Sequence, residues 1–389
     1  MAKEENPYTD YELTIEELAD LPEGKYALYD IRDGISFEYG TIAGAESAPD
    51  ILSRAENSLL PGDKKLILFC MHGTQSIAMC EALRALGYDA YSLAGGYASW
   101  LKKQLVRQDR STEIELALRE SGQWKELLWE PFAEAVAKYE LIKPDDKIAV
   151  CISGGKDSML MAKLFQELKY QNVYAFDLKF LVMDPGYNEL NRLLIEYNAQ
   201  TLGIPVEIFE TSIFDAVDSV EKSPCYLCAR MRRGHLYARA KELGCNKIAL
   251  GHHFDDVIET TLMGMLWGGQ LQGMMPKLHS ANFPGMELIR PMYLIHEDDI
   301  KAWRDFHGLH FIQCACHFTD TCSSCREDGA PVSKRMETKL LIKRLKESDP
   351  EADQNIMNSI HNVLKDMLVS YKQNGHICSF LDHYDRDER

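Results

Sequence analysis

Lys147-Ile148-Ala149-Val150-Cys151-Ile152-Ser153-Gly154-Gly155-Lys156-Asp157-Ser158 is the stretch that decides the fold. An apolar run of strand character, Lys147 to Ile152, leads into two glycines, and Met159 to Lys169 follows with helical character. Glycine lets backbone approach an anion, a helix N-terminus offers free N–H groups, and Lys156 adds a point charge. The stretch therefore reads as a phosphate cradle. It is not of the Walker type, which sets its glycines further apart ahead of Gly-Lys-Ser/Thr.

Downstream of this loop, Tyr174 to Met183, Val206 to Glu210 and Lys247 to Leu250 read as strands separated by helical segments. Upstream, Tyr26 to Ile31 and Lys65 to Cys70 alternate with helical stretches such as Ser76 to Leu86. Both rhythms are those of parallel α/β sheets. Between them, Gln108 to Tyr139 reads as a helical connector with Ile114, Leu116, Leu118, Leu127 and Leu128 as its apolar positions, closed by the turn Lys143-Pro144-Asp145. The expected organisation is an α/β domain over 10–105, a connector over 106–144, a second α/β domain over 145–347, and a C-terminal helix with a polar tail over 348–389. A length of 389 residues suits two such domains.

The chain is 46% hydrophobic and 26% charged. It has no apolar run long enough for a bilayer and no basic-then-apolar leader, so a soluble cytoplasmic protein with no membrane partner is expected. A formal net charge of -17 argues against non-specific nucleic-acid binding by the whole surface, so any RNA site must be a local basic patch. The 11 cysteines, several spaced C-x-x-C in a long leaderless chain, favour thiol or metal chemistry over disulfides.

Two sets of cysteines carry that chemistry. Cys70 stands at the C-terminal edge of Lys65 to Phe69 and opens the loop Met71-His72-Gly73-Thr74-Gln75 ahead of a helix near Ser76. Such a loop aims successive N–H groups at the sulfur, favouring a thiolate or a persulfide anion and making Cys70 the candidate sulfur carrier. Cys80, Cys151 and Cys245 read as core. Elsewhere Pro224-Cys225-Tyr226-Leu227-Cys228, with Cys314, Cys316, Cys322 and Cys325 far along the chain, has spacing that suits zinc or an iron–sulfur cluster. Arg230, Arg232, Arg233 and Arg239 follow the first pair, and Lys334, Arg335, Lys339, Lys343, Arg344 and Lys346 sit on a later helix, Ser333 to Glu347. The first cluster adjoins the chemistry and is the candidate RNA contact, Arg230, Arg232 and Arg233 foremost. The later set alternates with Glu337 and Glu347, as a solvated face would.

The Cys70 segment resembles the rhodanese family, whose other marks stand here as Tyr29-Asp30-Ile31-Arg32, Gly40-Thr41-Ile42-Ala43-Gly44-Ala45, Leu93-Ala94-Gly95-Gly96-Tyr97 and Trp100. Many relatives carry Arg where Gln75 stands, which implies weaker electrostatic help to this thiolate. The hexapeptide Ser153, Gly154, Gly155, Lys156, Asp157, Ser158 resembles the signature of the PP-loop ATP-pyrophosphatase superfamily, in which ATP releases pyrophosphate and leaves AMP on the acceptor. The fold class implied is a rhodanese-like parallel sheet with flanking helices, then a PP-loop (adenine nucleotide alpha hydrolase-like) parallel α/β domain. The resemblance continues at Gly251-His252-His253-Phe254-Asp255-Asp256 and implies ATP contacts at Asp184, Gly251, His252 and Asp255. The adjacent carboxylates Asp255 and Asp256 suit Mg²⁺, with Asp256 the candidate catalytic one. The alternative is acids placed at a helix N-terminus for its dipole.

Pro-Cys-x-x-Cys-Ala-Arg, an Arg-Arg-Gly stretch, Gly-His-His and Arg290-Pro291 together resemble the tRNA 2-thiocytidine synthetase group. That resemblance implies a 4Fe-4S cluster on Cys225, Cys228 and one later cysteine, Cys314 with Cys316 as rival, and one iron open to sulfide. Cys322-Ser323-Ser324-Cys325 departs from the pattern, and a zinc site on Cys225, Cys228, Cys322 and Cys325 is the structural alternative. The function implied is an ATP-dependent tRNA sulfurtransferase that makes 2-thiocytidine. Other readings are 2-thiouridine synthesis, sulfur transfer to a small molecule, or a zinc-stabilised RNA-binding or regulatory protein. Expected partners are tRNA, an upstream persulfide donor such as a cysteine desulfurase, and, in a homodimer, a second subunit presenting the thiol.

Overall fold

The computed structural model describes residues 9–105, 108–214, 224–311, 334–382 and 384. Five short strands form the first sheet: β1 (Glu12–Leu13), β2 (Tyr26–Asp30), β3 (Glu46–Ser47), β4 (Lys65–Phe69) and β5 (Ala90–Leu93). Their order is β1-β5-β4-β2-β3, and every pairing is parallel. Strand β4 is central, with Leu66 to Phe69 wholly buried, which is why its sequence is apolar without alternation.

The second sheet holds β6 (Asp146–Ile152), β7 (Phe176–Asp184), β8 (Val206–Glu210), β9 (Lys247–Ala249), β10 (Lys277–His279) and β11 (Glu287–Ile289), in the order β10-β11-β9-β6-β7-β8. All its pairings are parallel except that of β10 with β11. Val150 of β6 pairs with Phe180 on one side and Ala249 on the other. The chain runs outward from β6 through β7 to β8, then returns to lay β9 along the free edge of β6. The strand order thus reverses between β6 and β9, the crevice at which open α/β sheets bind ligands.

Between the sheets lie the helix Ser111–Arg119, a π-helical turn Lys125–Trp129 and the helix Glu130–Lys138. Of the five apolar positions read there, Ile114, Leu118 and Leu128 are fully buried, while Leu116 and Leu127 are exposed. Ile114 and Leu118 are four residues apart and share a helix face, whereas Leu116 lies on the other side. One apolar core runs from Phe69, Tyr97 and Leu101 through Ile114, Leu118 and Phe132 to Val150, Leu160 and Phe165. Each such side chain contributes about 1.5–3 kcal/mol on burial, so this segment is packed structure and not a loose tether.

Two compact units result, residues 1–253 with 276–332 and residues 254–275 with 333–389. The first contains both sheets. The second contains the helices Phe254–Leu266, Lys334–Ser348 and Ala352–His361 and the hairpin β12 (Ser370–Gln373) and β13 (His376–Ser379). Asn374 and Gly375, at φ 51 and 79, form its two-residue turn, so the polar tail expected within 348–389 carries a hairpin. Among the described residues no helix is long and apolar enough to cross a membrane.

Candidate active site

Strand β6 ends at Ile152, and the helix Lys156–Gln171 begins four residues later with Gly155 as its N-cap. No side chain caps that helix, so its first-turn N–H groups face the loop unshielded. Ser158 cross-links the loop: its Oγ accepts from Ser153 N at 3.1 Å and donates to the Gly155 carbonyl at 3.0 Å. Gly251, which follows β9, approaches from the other side of the crevice. A Cβ there would lie 3.2 Å from Ser158 N, so only glycine allows this approach without displacing the loop.

Lys156 is 2% exposed and pairs with Asp157 Oδ1 at 3.0 Å and Glu297 Oε1 at 3.3 Å. Burial works against its charge, but the carboxylates outweigh it and hold the ammonium well above the ordinary lysine range. His253 Nε2 lies 3.9 Å from Asp157 Oδ1, and Arg290 Nε donates to His252 Nδ1 at 3.3 Å. Gly251, His252, Lys156 and Asp157 thus stand at the C-terminal ends of β6 and β9, at the switch between them.

Asp184, the last residue of β7, organises the next turn. Its Oδ1 accepts from Gly186 N at 2.9 Å and Tyr187 N at 2.7 Å, and its Oδ2 accepts from Arg192 Nη1 at 2.7 Å. Burial opposes its ionisation, but these donors prevail and hold the carboxyl below its usual range. The turn delivers Tyr187, whose Oη donates to the Ser153 carbonyl at 3.4 Å and accepts from Arg232 Nη2 at 3.2 Å. Sequence reasoning missed Tyr187, although the turn signal Asp184-Pro185-Gly186 just ahead of it was present. It also missed Glu297, which nothing local marks.

The other candidate residues fall in several places. Cys225 and Cys228 stand one turn apart in the helix Pro224–Glu242, and Cys228 packs beside the small apolar cluster of Met183 and Ile213. Cys314, Cys316, Cys322 and Cys325 lie outside the described residues. Among the described residues no three His, Cys, Asp or Glu side chains converge as a metal site. Arg230 and Arg233 are exposed on the same helix, whereas Arg239 is committed to Glu207 and Glu242. Within the second unit, Asp255 and Asp256 occupy the first turn of Phe254–Leu266, and Arg335 pairs with Asp256 and, at 2.7 Å, with Glu259. Lys334 and Lys346 are likewise paired, with Glu337 and Asp353. The later basic helix is in that part a salt-bridged face.

The thiol loop lies at the C-terminal edge of β4. Cys70 is buried, and its Sγ accepts from Gly73 N at 3.2 Å and Ser76 Oγ at 3.5 Å. Burial alone would raise the thiol, but the Ser76 hydroxyl and the N–H groups of Ser76, His72 and Gln75 outweigh it and lower it below its ordinary value. Backbone donors and a serine thus lower the thiol with an uncharged Gln75 in the loop. Gly96, at φ 60, packs directly behind the loop: a Cβ there would sit 2.5 Å from the Cys70 carbonyl oxygen. Tyr97 N and Ala98 N donate to the carbonyls of Cys70 and Met71, each at 2.9 Å, and fix the loop from the next helix. Cys80 and Cys151 are core, their thiols pushed up to about 12 by burial, and Cys245 is buried and raised for the same reason. Asp30 and Arg32 form a buried ion pair at 2.6 Å.

Both parts of the chain resemble known proteins. A family model described as a rhodanese-like domain matches residues 14–103, and one described as a PP-loop domain matches 128–317. The chain is 36% identical over 245 residues to the tRNA-cytidine(32) 2-sulfurtransferase of Paraburkholderia phytofirmans, covering 61% of this chain and 69% of that one. It is 33% identical over 287 residues to the protein of the same name from Burkholderia cenocepacia, covering 72% and 79%. Among solved structures, the U34-tRNA thiolase NcsA from Methanococcus maripaludis with its 4Fe-4S cluster superposes with a TM-score of 0.48 at 21% identity, covering 66% of this chain and 87% of that one.

Proposed function

Since the chain belongs to the tRNA-cytidine(32) 2-sulfurtransferase family, we propose that it is an ATP-dependent tRNA sulfurtransferase that replaces O2 of a cytidine by sulfur and carries that sulfur on its own Cys70. The observation that supports this best is one compact unit joining a phosphate loop at a sheet switch point to a loop built to hold a sulfur anion.

In this reading, ATP lies across Ser153 to Ser158. First-turn N–H groups and Lys156 hold its phosphates, while Gly251 and His252 form the opposite wall of the crevice. The base oxygen attacks the α-phosphorus, a P–O bond forms, and pyrophosphate leaves with the electrons of the bond it loses. Position 2 then carries AMP as a good leaving group, and attack by sulfide forms C–S as C–O breaks. Within its own unit Asp256 is already paired with Arg335 and would have to exchange that partner before holding a cation beside Asp255. Cys70 carries the outer sulfur as a persulfide, stabilised by the same donors that favour the thiolate, and releasing it as sulfide consumes two electrons from a dithiol.

Cys225 and Cys228, three positions apart in the helix Pro224–Glu242, with Cys314 or Cys316 from outside the described residues as third donor, would give a donor set of the chemistry that suits a 4Fe-4S cluster. Such a cluster would supply a site that holds sulfide for attack. Arg230 and Arg233, exposed on the same helix, would meet tRNA phosphates. The test is a reaction of purified, cluster-loaded protein with ATP, unmodified tRNA and a persulfide donor. Pyrophosphate, AMP and thiolated cytidine are expected in equal amounts, and Cys70→Ser is expected to lose only the persulfide-dependent turnover. Pyrophosphate release without thionucleoside would sink the sulfur assignment.

A further inference from the structure

The phosphate-loop lysine has a neighbour from the other sheet. Lys156 Nζ stands 5.4 Å from the ring centroid of Tyr39, the last residue of the helix Gly34–Tyr39 in the rhodanese-like domain. That is within the reach of a cation–π contact. One helix of the PP-loop domain, Glu297–Phe306, organises the junction from two positions two turns apart. Glu297 holds the ammonium of Lys156 at 3.3 Å, and Arg304 Nη1 donates to the Tyr39 carbonyl at 3.2 Å. From within the rhodanese-like domain, the buried Arg32 donates to the next carbonyl, that of Gly40, at 2.6 Å. The backbone at Tyr39 and Gly40 is therefore gripped by both domains, which fixes where the ring lies. Trp100 against His310 and Lys102 with Glu189 hold the same junction further out, at 5.9 Å and 3.5 Å.

We propose that Tyr39 is a positioning residue for Lys156, so that the docked rhodanese-like domain completes the nucleotide site in cis. A lysine ammonium has three donors and a flexible stem. Asp157 and Glu297 orient it by charge, and both would repel an arriving polyphosphate. The Tyr39 ring face favours the cation without adding a formal negative charge, and it keeps water from the ammonium, so that phosphate meets a less screened charge. The sulfur-carrying domain and the ATP site are thereby one assembly: nucleotide is bound well only when the sulfur carrier is in place.

This inference rests on the nucleotide role given above to Ser153 to Ser158. The test is equilibrium binding of ATP to the full chain and steady-state pyrophosphate release, comparing wild type, Tyr39→Ala, Tyr39→Phe and Lys102→Ala. Losing the ring should weaken ATP binding and raise its KM about fivefold to thirtyfold, with kcat changing far less. Tyr39→Phe keeps the ring face and should restore binding to within about twofold of wild type. Lys102→Ala removes only an exposed ion pair at the rim of the junction, too weak to undock the domain, and should leave ATP binding unaltered. Equal ATP binding by Tyr39→Ala and wild type, or a Phe variant as weak as the Ala variant, overturns the inference. Failure of the wild type itself to bind ATP would overturn the nucleotide reading as well.

Discussion

Replacing Ser76 by alanine removes the hydroxyl that donates to Cys70 Sγ at 3.5 Å and leaves the Gly73 N–H, at 3.2 Å, in place. A long contact to sulfur belongs with ordinary hydrogen bonds, worth about 0.5–1.5 kcal/mol net. At neutral pH that corresponds to a thiolate fraction about twofold to tenfold smaller. Alkylation of Cys70 by iodoacetamide, followed by site-resolved peptide mass spectrometry, should slow by that factor, and the midpoint of its pH profile should move upward. Cys80 and Cys151 do not confuse the readout, because burial pushes their thiols to about 12. Stability should change little, since Ser92 Oγ, which loses Ser76 as a partner at 2.8 Å, keeps the Gly73 carbonyl at 3.3 Å. An unchanged rate and profile would mean that backbone donors alone hold the anion. A loss of about a hundredfold or more, far beyond one hydrogen bond, would mean that Ser76 shapes the loop and not its charge.

Other outcomes follow from the same geometry. Gly96→Ala places a Cβ 2.5 Å from the Cys70 carbonyl at a left-handed φ of 60, and should cost at least about 1–3 kcal/mol by chemical denaturation, together with the persulfide-carrying capacity of Cys70. Arg230→Ala should weaken tRNA binding and reduce its salt slope by about 0.7, the value for one single-strand phosphate contact, without altering ATP binding. Arg232→Ala should also weaken ATP binding, because Arg232 holds Tyr187 and Tyr187 holds the Ser153 carbonyl. Asp184 is held below its usual range in the fold, so the stability it contributes is complete above the unfolded carboxylate range and is lost as pH falls through the folded value. Asp184→Asn should therefore lower stability at neutral pH by about 1–3 kcal/mol and flatten the acid limb of a denaturation-against-pH profile.

The parts legible in the sequence were those whose cause is local. Buried parallel strands show as uninterrupted apolar runs, so β4 and β6 could be read to within a residue of their ends. The loops after β4 and β6 were legible because strand, glycines and helix start lie within a dozen residues of one another. The period of the segment 111–138 was harder: Leu116 and Leu127 are as apolar as Ile114 but lie on the solvent side of their helices. The hairpin turn Asn374-Gly375 was a readable signal, hidden in polar sequence.

What could not be read was pairing at long range. Nothing near Tyr39 in sequence announces that it faces Lys156, and nothing near Glu297 announces that it holds the same ammonium. The arginines that looked alike after Cys228 divide by what their neighbours offer: Arg239 meets Glu207 and Glu242, Arg232 meets Tyr187, and Arg230 is exposed. The same holds for Arg335, whose carboxylate partners Asp256 and Glu259 come from a helix some seventy to eighty positions earlier.

The most direct test of the central claim is nucleoside mass spectrometry of total tRNA from cells lacking this gene, beside cells complemented with wild type or with Cys225→Ser. 2-Thiocytidine is expected to disappear in the deletion and to return with wild type only. An unchanged thionucleoside profile in the deletion would contradict the claim.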